Sequence, residues 1–96
     1  MSELDIINIV ECATGIPFAS MLLSKHTGPL YARYLIIVLM HELRVSHSEI
    51  AEVIKVHRTT IYNALETIDQ LLCNNRRFKE LYQRCGLLMA EMEEAA

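Results

Sequence analysis

Glycine and proline are scarce in this chain, with three and two copies among ninety-six residues. Few built-in breaks therefore interrupt it. The plentiful Leu, Ile, Glu and Met lose little rotamer freedom in a helix, so helix is expected almost throughout. No apolar run is long. The longest, Leu35 to Met40, falls far short of the ~20 residues that a bilayer span requires. Glu3 and Asp5 precede the first apolar stretch, where a secretory leader would carry positive charge, and a cytoplasmic location is expected. Cysteine is sparse too. Cys12, Cys73 and Cys85 are odd in number, widely spaced and without a C-x-x-C pair. That pattern argues against a disulfide framework or a zinc site and predicts three reduced, mostly buried thiols.

What is present fits one soluble domain. Hydrophobic residues make up 52% and charged residues 22%, a balance that neither disorder nor a membrane protein would show. Ninety-six residues can bury a single modest core and no more. The net charge is −3, unevenly spread. Glu3, Asp5 and Glu11 near the start and Glu91, Glu93 and Glu94 near the end face no local cation. All nine Lys and Arg lie between them, so the middle of the chain is positive and is the expected place for contact with phosphates.

Apolar spacing predicts a first helix from about Glu3 to Thr14, through Leu4, Ile7 and Val10, with Ile6, Ile9 and Ala13 widening its face. Gly15 stops it, and Pro17 suits the first turn of a short helix to Leu23. Ser24 to Gly28 reads as a loop, and Pro29 opens a third helix to about Leu43. That helix is apolar on consecutive residues and so is buried nearly all round. Ser46 and Glu49 have capping-box spacing ahead of a short helix to about Lys55 that buries Ile50, Ala51 and Ile54. A tight turn at Val56 and His57 leads into a longer helix, Arg58 to Cys73, with Ile61, Leu65, Ile68 and Leu72 as its core stripe. Asn74 and Asn75 break it. An amphipathic segment from Arg76 to Ala90 follows, with Gly86 as a candidate kink and residues 91–96 expected to fray.

The stretch from Ser46 to Leu65, S-H-S-E-I-A-E-V-I-K-V-H-R-T-T-I-Y-N-A-L, resembles the general helix-turn-helix pattern. Ala51 is small enough for close approach of two helices, and Ile50, Ile54, Val56, Ile61 and Leu65 form the wedge between them. A second helix held this way can enter a major groove about 12 Å wide. Lys55 stands where glycine normally accepts a left-handed backbone, and His57 where Ser or Thr normally caps the second helix. With Ile61 and Leu65 facing inward, Thr59, Asn63 and Glu66 face outward, flanked by Tyr62. Asn63 is the expected base reader, because Asn can bond adenine through N6 and N7. Thr59 and Thr60 suit a thymine methyl or a phosphate, Arg58 suits phosphate, and Lys55 and His57 are placed to join it. Glu66 either accepts from cytosine N4 or marks the edge of the contact.

From Ile9 to about Tyr82 the chain resembles the C-terminal DNA-binding domain (domain IV) of the bacterial chromosomal replication initiator DnaA. I-V-E-C-A-T-G-I-P-F-A-S-M-L-L-S-K is similar to that family's entry to a basic loop. R-Y-L-I-I-V-L-M-H-E-L matches its R-x-x-A-M-Y-L-x-R-x-L helix, with Arg33 on the first arginine. R-T-T-I-Y-N-A-L-E-T-I-D-Q-L falls on H-T-T-V-x-x-A-x-x-x-I-x-x-L. The resemblance implies an all-α bundle of five to six helices, Trp repressor-like, with the helix-turn-helix at residues 46–65. It implies base and phosphate contacts for Thr59 and Thr60 and backbone contacts for Lys25 and Arg33. The departures are an absent Asp before the paired threonines, a turn one residue shorter, and a loop S-K-H-T-G-P that keeps only Lys25 and His26 as basic or titratable groups. No G-x-x-x-x-G-K-[ST] phosphate loop occurs. A free-standing regulator of replication or transcription, or an accessory protein of a mobile element, is therefore the expected role, and not origin melting.

Enzymatic activity is not expected. His41 and Glu42 begin H-E-x-x-V without the second histidine of a zinc protease, and His41, His47 and His57 share no ligand spacing. No cofactor, metal, membrane or small-molecule substrate is expected. Duplex DNA is the expected partner, and pairing of two copies is left open. The rival reading is a helix-turn-helix scaffold turned to protein contact or self-association.

Overall fold

The computed structural model of the chain describes residues 1–95. Six helices account for nearly all of them: α1 (Glu3–Thr14), α2 (Phe18–Leu23), α3 (Thr27–Glu42), α4 (His47–Ile54), α5 (Arg58–Asn74) and α6 (Arg76–Ala95). The fold is an all-α bundle. No helix is long and apolar enough to cross a membrane among the described residues.

The first helix begins with a full capping box. The Ser2 hydroxyl accepts from the Asp5 amide at 3.2 Å, and the Asp5 carboxylate accepts from the Ser2 amide at 2.9 Å. Those two bonds also lower the Asp5 pKa from its ordinary value. Gly15, at φ 72°, closes α1 in the left-handed region that a Cβ would disfavour. Pro17 lies just outside α2 and not in its first turn, and Glu11 reaches over from α1 to accept from the Phe18 amide at 2.8 Å. The buried stripe of α1 is Ile6, Ile9, Val10 and Ala13, whereas Leu4, expected to lead it, is largely exposed.

Helix α3 is the spine. Leu35, Ile36, Ile37, Val38, Leu39 and Met40 are all buried, so every face meets another element, and α1, α2, α4 and α5 all pack on it. It starts two residues before the expected Pro29. Proline is accommodated because the first turn's N–H groups have no helical partner to lose. At its other end the Val45 amide donates to the Met40 carbonyl and the Arg44 amide to that of His41, both at 3.0 Å. This is a Schellman closure with Arg44, φ 65°, where glycine is usual.

Helix α6 covers the remaining side. Asn75 caps it, its Oδ1 accepting from the Phe78 amide at 2.9 Å while its Nδ2 donates to the Tyr31 hydroxyl at 2.9 Å. Phe78, the largest fully buried side chain, lies edge-on to Tyr31 at 5.3 Å and Tyr34 at 6.5 Å. The Tyr82 hydroxyl donates to Glu42, fastening α6 to the end of α3. Two expectations fail here. The helix continues to Ala95, because Ala, Glu and Met are strong helix formers with no break between them (residue 96 lies outside the described residues). It also passes through Gly86 uninterrupted. The thiols differ from expectation as well: only Cys85 is buried, and that burial raises its pKa to about 11, while Cys12 and Cys73 are exposed.

Two measurements follow. Open space surrounds the missing Cβ of Gly86, so Gly86→Ala should stabilise the fold by roughly 0.5–1 kcal/mol and raise the thermal midpoint by several degrees. No rise would mean that the helix is broken there. The Glu42 hydrogen bond, aided by partial burial, lifts the Tyr82 pKa from 10.0 to about 12. The neutral phenol holds that bond, so its contribution is complete below pH 10.0 and lost as the pH climbs through about 12. An alkaline absorbance titration should find a tyrosine ionising near that upper value, and Glu42→Gln should bring it down.

Candidate nucleic-acid interface

Helices α4 and α5 are joined by three residues, Lys55 to His57. The Ser46 hydroxyl accepts from the Glu49 amide at 3.2 Å and starts α4, and Ile50, Ala51 and Ile54 bury its inner face. Lys55 ends it at φ 59° and ψ 51°, a left-handed conformation held by the Val56 amide donating to the Ala51 carbonyl at 3.0 Å. The turn therefore keeps the shape that glycine usually provides, with a lysine in it. His57 occupies the N-cap of α5 in extended backbone, and no side chain caps that helix's first turn.

Ile61, Ala64 and Ile68 anchor α5 in the core. Leu65 and Leu72, expected in that stripe, are only half-buried, and Ala64 takes the inner position, which lets the helices approach closely. Thr59, Thr60, Tyr62, Asn63 and Glu66 are all exposed on the other side. Tyr62 is propped from below. The His47 ring meets it edge-on at 4.3 Å, and His41 stands 5.3 Å behind His47. No periodicity along the chain signals that stack, which joins three separate helices. Thr67 bonds back to the Asn63 carbonyl at 3.2 Å.

The other flank of α5 forms one wall of a groove of about 670 Å³, whose opposite wall comes from α2 and the start of α3. Lys25, Arg33, Lys55, Thr60 and Asn63 all line it, so five of the nine residues singled out in the sequence share one cleft. His57, Arg58, Thr59 and Tyr62 lie outside its lining. Arg33 also has a structural task that its sequence position did not reveal. Its Nη1 donates to the Met21 carbonyl and, at 2.8 Å, to that of Ser24, tying the end of α2 to α3.

Charge is sparser here than the linear map suggested. Helices α4 and α5 carry Glu49, Glu52, Glu66 and Asp69 against Arg58, with Lys55 in the turn between them. Arg76, Arg77, Lys79 and Arg84 belong to α6, whose start is separated from Arg58 by the 17 residues of α5, about 25 Å. The positive middle of the chain is thus not concentrated on this face. Lys25, Lys55 and Arg58 do stay unneutralised, since the one ion pair among the described residues is Arg76 to Glu80 at 3.1 Å. No group of three potential metal ligands occurs among the described residues. Comparison with protein-family models, with curated proteins and with solved structures finds no significant match to this chain.

The left-handed Lys55 gives a direct test of the turn. A side chain there costs about 1–2 kcal/mol, and glycine would relieve it while making the unfolded chain looser by about 0.4–1 kcal/mol. Lys55→Gly should therefore raise unfolding stability by roughly 0.5–1 kcal/mol in a urea titration. A loss of stability would show that the lysine side chain holds the turn by contacts of its own.

Proposed function

We propose that the chain binds double-stranded DNA as a regulator of replication or transcription without ATPase activity, with α4 and α5 as its helix-turn-helix and α5 entering the major groove. One observation carries the reading: α5 is anchored by Ile61, Ala64 and Ile68 and turns Thr59, Thr60, Tyr62 and Asn63 outward, exposed together along its first turns. These side chains can donate and accept at base edges, and an uncapped helix start offers its N–H groups to phosphate. The resemblance to domain IV of DnaA supports the same assignment, with Thr59 and Thr60 at the paired threonines. Asn63 is the base reader. Arg58, Lys55 and Lys25 contact phosphate.

The test is a duplex titration against salt. Three phosphate-facing cations predict a log–log slope of about −2.7, and Asn63→Ala should relax sequence preference by ~1–3 kcal/mol while Arg58→Ala weakens all duplexes alike. A flat salt response would select protein contact or self-association instead, a reading to which Leu23, 86% exposed beside this face, gives its support. Unchanged preference in Asn63→Ala would mean that another face of α5 reads the bases.

A further inference from the structure

Arg33 is the one residue among the nine Lys and Arg that is not exposed. It has no carboxylate partner, the described residues holding only the Arg76–Glu80 pair. Its Nη1 is engaged by two carbonyls, but Nε and Nη2 have no acceptor among the described residues. Among the described residues no buried side-chain nitrogen or oxygen lacks a partner, so those two donors remain reachable from outside. Leu22, Leu30, Tyr34, Ile37 and Val56 line the same groove, Lys25 and Lys55 line it too, and no acidic residue does. A guanidinium with two free donors facing an apolar groove that holds two further cations and no acid is a ready partner for an anion.

The groove's volume of about 670 Å³ falls within the ~300–1,000 Å³ of small-molecule sites, which are apolar with a few convergent polar groups. We infer that it binds a small amphiphilic anion, a carboxylate on a medium-length hydrocarbon body, with the carboxylate on Arg33, Lys25 and Lys55 and the body along Leu22, Leu23 and Leu30. A phosphodiester would satisfy the guanidinium but leave the leucines in water, including Leu23 at 86% exposure. The charge and the apolar lining together select an amphiphile. Thr60 and Asn63 line the same cleft, so the bound ligand touches the flank of α5 and acts as an effector of whatever that helix contacts. The inference goes beyond DNA binding and does not rest on it.

A DNA-free NMR titration of the full, isotope-labelled chain tests it, using decanoate, its uncharged analogue decanol, and acetate, which has the charge without the body. Decanoate should saturate below about 1 mM and move the resonances of Leu22, Lys55 and Asn63, with decanol and acetate weaker by roughly tenfold or more. Lys25→Glu and Lys55→Glu change exposed side chains and should keep the fold while weakening decanoate roughly tenfold, and Arg33→Gln should weaken it further. Decanol binding as well as decanoate would overturn the anion site, and so would no saturation, or lysine variants that bind normally. With no duplex in the tube, either outcome leaves the salt titration of DNA as a separate question.

Discussion

The constraint on which this structure depends is the burial of α3 on every side. A helix with six consecutive buried apolar residues has no face to offer water, so the remaining helices must enclose it. α1, α2, α4 and α5 each take a side, and the aromatic contacts of Phe78 with Tyr31 and Tyr34 bring α6 against the first half. Each surrounding helix is therefore amphipathic with one face committed inward. For α5 the committed face is Ile61, Ala64 and Ile68, and the geometry of a 3.6-residue turn then leaves Thr59, Asn63 and Glu66 outward. The candidate interface is a consequence of how the spine is covered.

Backbone strain collects around the same place. The only non-glycine residues at positive φ among those described are Arg44, which closes α3 just before α4, and Lys55, which closes α4. Both are cations, and both sit where glycine would be the relaxed choice. Two such positions on either side of one eight-residue helix impose a cost of about 1–2 kcal/mol each, which the buried wedge of Ile50, Ala51 and Ile54 must offset. Strain retained at a site is consistent with a use for the side chains it displays. Lys55 has one available in the groove beside α5. Nothing in the structure assigns one to Arg44.

Much of this was legible in the sequence because local rules and the tertiary fold agree. The capping spacing of Ser46 and Glu49, the Gly15 stop, the break at Asn75 and the continuous apolar run of α3 each fix an element through local chemistry. Illegible features were those settled by neighbours distant in sequence. The structural task of Arg33, holding the carbonyls of Met21 and Ser24, has no signal in its sequence position. Leu65 reads as core by spacing, yet the smaller Ala64 lies innermost because close helix approach favours it. The basic middle reads as one patch, although a helix of about 25 Å separates Arg58 from Arg76. Linear charge maps carry no such distances.

That separation bears on how the proposed DNA contact could work. Charges beyond a Debye length of about 8 Å at physiological salt are largely screened, so the basic start of α6, beyond the end of a 17-residue α5, does not decide the potential at Asn63. What decides it is local, namely half-buried Arg33 and the exposed Lys25, Lys55 and Arg58 against Glu66 and Asp69. Three exposed cations supply little of the sequence-independent attraction that dominates most protein–DNA affinity. On the proposed reading, base contacts at Thr59, Thr60 and Asn63 must then supply an unusually large share of the binding energy. Weak non-specific binding is not a defect in such a design, because discrimination is the ratio between the right site and the many wrong ones. Sparse charge lowers the denominator of that ratio. It also makes the groove cations, few as they are, an effective point of control: an anion that occupies Lys25 and Lys55 removes two of the three phosphate contacts at once.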